Sequence, residues 1–135
     1  MNSNLLLVVA CGLGLAVSAQ AAETVDKEKL VAVPMEIRNS GTAPVLCQAE
    51  IAHWFAMDLA HIAPDASATL GLHFDAATGT WAAINARGEA LPVERAWCGL
   101  EGRTFETRWD LHLVRDQPKA QALECSADND RLTCR

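Results

Sequence analysis

Tyrosine is absent from this 135-residue chain, and phenylalanine occurs only three times. Four tryptophans must therefore supply most of the bulky aromatic packing of any core. The short signatures of several common chemistries are missing as well. No Cys-x-x-Cys occurs, which removes zinc-ribbon and thioredoxin-like readings, and without a Cys-x-x-Cys-His there is no support for covalent haem. No Gly-x-Ser-x-Gly elbow is present, and Ser67 and Ser126 sit in turn contexts. Basic charge is scarce: 11 Lys and Arg stand against 17 Asp and Glu, a net charge of −6. Such a chain releases few counterions from nucleic acid or anionic lipid, so the expectation is no nucleic-acid partner. A basic protein partner suits the charge better. There is no internal repeat and no low-complexity segment.

The N-terminal stretch reads as a secretory signal over residues 1–21. Leu5 to Val17 form an apolar run, and Ala19-Gln20-Ala21 supplies the small-x-small pattern that signal peptidase accepts. The first residues, Met1-Asn2-Ser3-Asn4, carry no Lys or Arg, which departs from the usual pattern. Two alternatives are a retained anchor, which the interruptions at Gly12, Gly14, Ser18 and Gln20 oppose, and a lipoprotein-type box ending at Cys11. Cleavage after Ala21 leaves about 110 residues, one domain by length. The expected location is periplasmic or secreted, with no membrane insertion once the signal is removed.

Four cysteines follow the signal: Cys47, Cys98, Cys125 and Cys134. An even number in a secreted chain implies two disulfides, with three possible connectivities. The last pair can be placed by register. A two-residue turn at Asn129-Asp130, whose side chains tolerate positive φ, sets Asp128 against Arg131, Ala127 against Leu132, Ser126 against Thr133 and Cys125 against Cys134. The cysteines then form a non-hydrogen-bonded pair with Cα atoms about 4.5 Å apart, within disulfide reach. Cys47 with Cys98 follows by elimination.

Between Asn39-Ser40-Gly41, Pro64-Asp65, Asp75 to Gly79, Asn85 to Gly88 and Cys98 to Gly102 lie short runs rich in Val, Ile, Leu and Trp. Strands separated by turns at such spacing predict an all-β sandwich or small barrel. Leu70, Leu72 and Phe74 are expected to share one strand face. Phe105, Thr107, Trp109, Leu111 and Leu113 are expected to share another, with Glu106, Arg108 and Asp110 forming a solvated, self-complementary outer surface. Trp81 to Ile84 reads as a hairpin strand. Val45 to Ile62 is ambiguous. Its first half alternates and carries Cys47 inward, whereas Gln48 to His61 is rich in helix formers. The preferred reading is a strand to about Trp54, then a bend or irregular segment through His61, with a helix as the alternative. The turn at Pro64-Asp65 and the run Ser67 to Leu70 give a general resemblance to immunoglobulin-like architecture, although the antibody-type Cys-Trp-Cys framework is not matched. The expectation is a small immunoglobulin-like antiparallel β-sandwich over residues 22–116, followed by a linker and a disulfide-closed hairpin over 117–135.

No residue set announces catalysis. His53, Trp54 and His61 are the best candidates for a binding patch, because they bracket the segment whose pattern shifts and combine a titratable donor with a large amphipathic surface. The leading expectation is a non-enzymatic accessory module that binds another protein and needs no cofactor. The alternative is a copper-type metal-handling protein using His53, His61, His73 or His112 with Met57. A third is a small hydrolase whose site has no sequence signature.

Overall fold

The computed structural model describes residues 24–53 and 55–135; the signal assigned to residues 1–21 and the candidate Trp54 lie outside them. Among the described residues the fold is all-β, apart from a single 3-10 turn at Lys27–Lys29 capped by the Asp26 carboxylate. Two sheets form a curled sandwich. The larger runs in the order β1 (Leu30–Ala32), β6 (Leu72–Asp75), β7 (Thr80–Ile84), β8 (Ala90–Leu100), β3 (Val45–Ile51), β4 (Phe55–Ile62), with β9 (Trp109–Asp110) also on β8. The smaller runs β11 (Arg131–Cys134), β10 (Gln121–Asp128), β2 (Met35–Asn39), β5 (Ser67–Leu70). Every pairing is antiparallel except that of β10 with β2, which is parallel.

The curl arises where the chain passes from one sheet to the other. Leu70, Leu72 and Phe74 are all buried, as their alternation requires, but they do not lie on one strand. Gly71 interrupts the run, leaving β5 in the small sheet and β6 in the large one. Val33 and Pro34 make the same crossing between β1 and β2, and the Val33 N–H donates to the Leu72 carbonyl at 2.9 Å. Two adjacent strand breaks thus fold both sheets around one corner.

Between the sheets lies a core in which Met35, Ile37, Leu70 and Leu132 from the small sheet meet Val45, Ile51, Leu72 and Val93 from the large one. Both disulfides belong to it. Cys47 and Cys98 are direct cross-strand partners on β3 and β8, and Cys125 and Cys134 on β10 and β11. Each cystine therefore ties neighbouring strands of one sheet. Their presence fits oxidising surroundings. The C-terminal hairpin has the expected register at all four positions, with Asn129 and Asp130 both at positive φ.

Two segments differ from their expected form. Val45 to Ile62 is a hairpin: β3 ends at Ile51, and the stretch expected to bend or run irregularly through His61 is strand β4, with no helix; Ala52 and His53 take positive φ at its turn. Pairing with β3 overrides the helix preference of Ala, Met and Leu here, because Leu59, Met57 and Ala60 pack against the core from a strand. The run Phe105 to Leu113 is strand only at Trp109–Asp110, and Phe105 and Trp109 are 49% and 38% exposed. Around Phe105 it is a loop laid over the outer face of the large sheet, whereas Leu111 packs into the core. Thr107 anchors it: its buried hydroxyl donates to the Arg103 carbonyl at 2.7 Å and accepts from the Leu100 N–H at 2.8 Å.

No described helix is long and apolar enough to cross a membrane.

Candidate binding face

The outer face of the large sheet is built from alternate residues of β3 and β8 and from the loop that covers them. Leu46, Gln48 and Glu50 of β3 point away from the core, as do Arg95 and Trp97 of β8. Two bulges refine this face. On β8, Glu50 pairs with Arg95 and Ile51 with Val93, so Glu94 is the extra residue. A bulge brings consecutive side chains towards one side. Glu94 reaches His53 and Arg95 reaches Glu50. On β4, Cys47 pairs with Ala60 and Gln48 with Asp58, so Leu59 is extra. Asp58 and His61, three residues apart, consequently share the outer side and touch at 3.2 Å.

The central feature is an aromatic–guanidinium stack. Trp97 is buried beneath the loop, and Phe105 meets it edge-on with centroids 5.7 Å apart. The Arg108 guanidinium lies 4.1 Å from the Phe105 centroid and that of Arg95 5.8 Å from it. Arg95 is held by Glu50 at 2.6 Å, and Arg108 donates to the Phe105 carbonyl at 2.9 Å and to Asp110 at 3.2 Å. Phe105 thus contacts Trp97 and lies within reach of two cations, while half its surface faces solvent. Thr104 secures the loop by donating to the Gln48 side chain at 2.7 Å, and Gln48 donates onward to Asp58 at 2.8 Å. The Trp97 indole N–H is buried without an acceptor among the described residues.

The sequence candidates occupy the margins of this face. His53 stands at the β3–β4 turn, its Nδ1 2.6 Å from Glu94 and 3.8 Å from Glu50. The approach to Glu94 is short but poorly aligned, an ion pair when His53 is protonated rather than a directed hydrogen bond. His61 stands near the far end of β4, with Nδ1 2.6 Å from Glu101 and Nε2 3.2 Å from Asp58. The Glu101 hydrogen bond raises the His61 pKa above its ordinary value; partial desolvation opposes this and Asp58 assists it. About 20 Å of strand separates the two histidines, at roughly 3.3 Å per residue, so they do not form one patch. The His73 ring, on β6, lies 3.2 Å from the Gly71 carbonyl, and β7 separates β6 from β8. His112 is exposed beyond β9.

One described group has donor atoms close enough for a cation: Glu50, His53 and Glu94, within 4.8 Å of one another. Arg95 already neutralises Glu50 there. Met57 packs against the core and does not join them.

Sequence reasoning missed Phe105, Arg95 and Arg108 as a unit. Its one available signal was Arg108 beside an aromatic-rich run, and reading that run as a continuous strand placed Phe105 inward. The fold and its two cystines define a small disulfide-bearing β-sandwich with a loop-covered outer face. Neither a protein-family model nor a curated protein matches the chain.

Proposed function

We propose that this protein is a non-enzymatic periplasmic or secreted binding module that engages another protein through the outer face of its large sheet. The observation that carries the reading is Phe105, half exposed, packed edge-on against Trp97 and in reach of the Arg95 and Arg108 guanidiniums. Pre-ordered aromatic and arginine side chains are the residue types that dominate binding energy at protein interfaces. Fixing them before association lowers the entropy lost on docking. The net charge of −6 favours encounter with a basic partner.

The test is crosslinking in native extract followed by affinity purification, with wild type and Phe105→Ala compared side by side. A specific partner recovered with wild type and lost with a folded Phe105→Ala variant supports the reading. Equal recovery with both removes this face from consideration.

A second reading, metal handling, rests on the Glu50, His53 and Glu94 donors. Two carboxylates and an imidazole suit a borderline cation such as zinc better than the copper-type His and Met set expected from sequence. Calorimetric titration with zinc decides it: binding lost in His53→Gln supports the site, and no heat above dilution ends it.

A further inference from the structure

The geometry points to a symmetric dimer of this chain in which β4 pairs antiparallel with β4 of a second copy, Asp58 of each facing His61 of the other. This inference does not depend on the binding role given to the outer face.

The first ground is the edge itself. Four strands end the two sheets, and the two-residue β9 on β8 is a fifth edge. β1 has three residues, and β5 and β11 have four each, short enough to offer little to a neighbouring chain. β4 has eight and pairs only with β3. From Phe55 to His61, no backbone group on its open side has a hydrogen-bond partner among the described residues. Proline is absent from it, Asp58 and His61 are its only polar residues, and Phe55 is 46% exposed.

The second ground is register. A two-fold axis perpendicular to the sheet joins like faces, so residues directly opposite each other must point to the same side. In a regular strand, residues three apart point to opposite sides. The bulge at Leu59 cancels that rule and returns Asp58 and His61 to one side, as their own 3.2 Å contact demonstrates. A pairing of Asp58 with His61 across the dyad is therefore sterically consistent, and symmetry makes it twice. In the same register Leu59 meets Ala60, apolar against apolar, and the new ladder ends before Ile62, whose carbonyl already accepts from Asn39. The neighbouring symmetric registers set Asp58 against Asp58 or His61 against His61, like against like, which is unfavourable across a strand pair. Of these registers, only the one with Asp58 against His61 places opposite charges face to face. Two copies carrying −6 each repel at a distance, so the complementary pairs at the contact itself have to supply the specificity. Because the ladder closes on its own dyad, the assembly stops at two copies.

Sedimentation equilibrium on the purified, oxidised protein between about 1 µM and about 1 mM reads the result directly. The expected outcome is a mass rising from one to two protomers. Asp58→Lys, an exposed position, should weaken the dimer at least tenfold. Adding His61→Glu together with Glu101→Gln, which removes the carboxylate beside position 61, should restore it by reversing the pair. Amide hydrogen exchange on the wild type gives a measurement that needs no variant: open-side amides of β4 should slow as concentration rises. A single-protomer mass at every concentration overturns the proposal. So does a dimer unaffected by Asp58→Lys, or one whose β4 amides exchange at the same rate in dilute and concentrated protein.

Discussion

Gly99 of β8 lies directly beneath the backbone of Thr104, so close that the space holds no β-carbon. This contact lets the loop from Glu101 to Asp110 lie flat on the sheet, and it sets Phe105 over Trp97. Gly99→Ala should lift the loop at a cost of about 1–3 kcal/mol, the range for overpacked sites. Thermal melting should show the loss, and binding through Phe105 should fall with it. A variant that melts like wild type would mean the loop can shift freely.

The same contact explains why this part of the fold was illegible in the sequence. Of the alternating set Phe105, Thr107, Trp109, Leu111 and Leu113, only Thr107 and Leu111 are buried, so the period of two does not mark a strand face here. What alternation does not reveal is that the chain docks on the sheet's outer face through a glycine and a threonine hydroxyl, a tertiary event. The C-terminal hairpin was legible down to its register, because turn residues, opposed charges and cysteines all act within ten positions. The hairpin of β3 and β4 fell between these cases. Its first strand was visible in the period of Val45, Cys47, Ala49 and Ile51, and its second was hidden by helix-favouring residues that pairing overrode. The binding face was least legible, since Arg95 and Phe105 come together only once the loop is placed.

Trp97 invites a paired experiment. Trp97→Ala should cost about 3–5 kcal/mol, as for other large aromatic deletions in packed sites. Trp97→Phe keeps most of the packing and removes an N–H that has no acceptor among the described residues. An unpaired buried donor costs about 1–3 kcal/mol, so the Phe variant should lose far less than the Ala variant. Denaturant midpoints compared at constant slope would separate them.

Asn39 is a fully buried polar hub. Its side chain donates to the carbonyls of Ala43 and Ile62 at 2.8 and 3.0 Å and accepts from the Gly41 N–H at 3.0 Å. It thereby joins the loop after β2 to the end of β4. Asn39→Leu should strand these groups at about 1–3 kcal/mol for each one left unsatisfied. The expected result is a large drop in melting temperature, exceeding that of Asn85→Leu at a surface turn.

His61 should make stability depend on pH. Its folded-state pKa is raised, chiefly by Glu101, so folding is favoured by protonation. The contribution is fully present below the unfolded value, about 6.5, and is lost as pH rises through the higher folded value. Because the pair is exposed, the effect should be small. Histidine ring signals followed by NMR should place the His61 midpoint above the peptide value, and Glu101→Gln should lower it. A midpoint unmoved by that substitution would remove Glu101 as the cause.

The parallel pairing of β10 with β2 has a consequence for how the molecule reaches its native state. β2 is one of the first strands in the chain, and the strand that completes its hydrogen bonding arrives near the end. Contacts of such long sequence separation are slow to form, because the intervening chain must be ordered first. Until Gln121 to Cys125 dock, Met35 and Ile37 rest in a two-stranded ribbon with β5, which is marginal in water by itself. The small sheet can therefore close only once β10 is available, and a nascent chain halted before Gln121 would carry an open, apolar seam that the finished protein never displays.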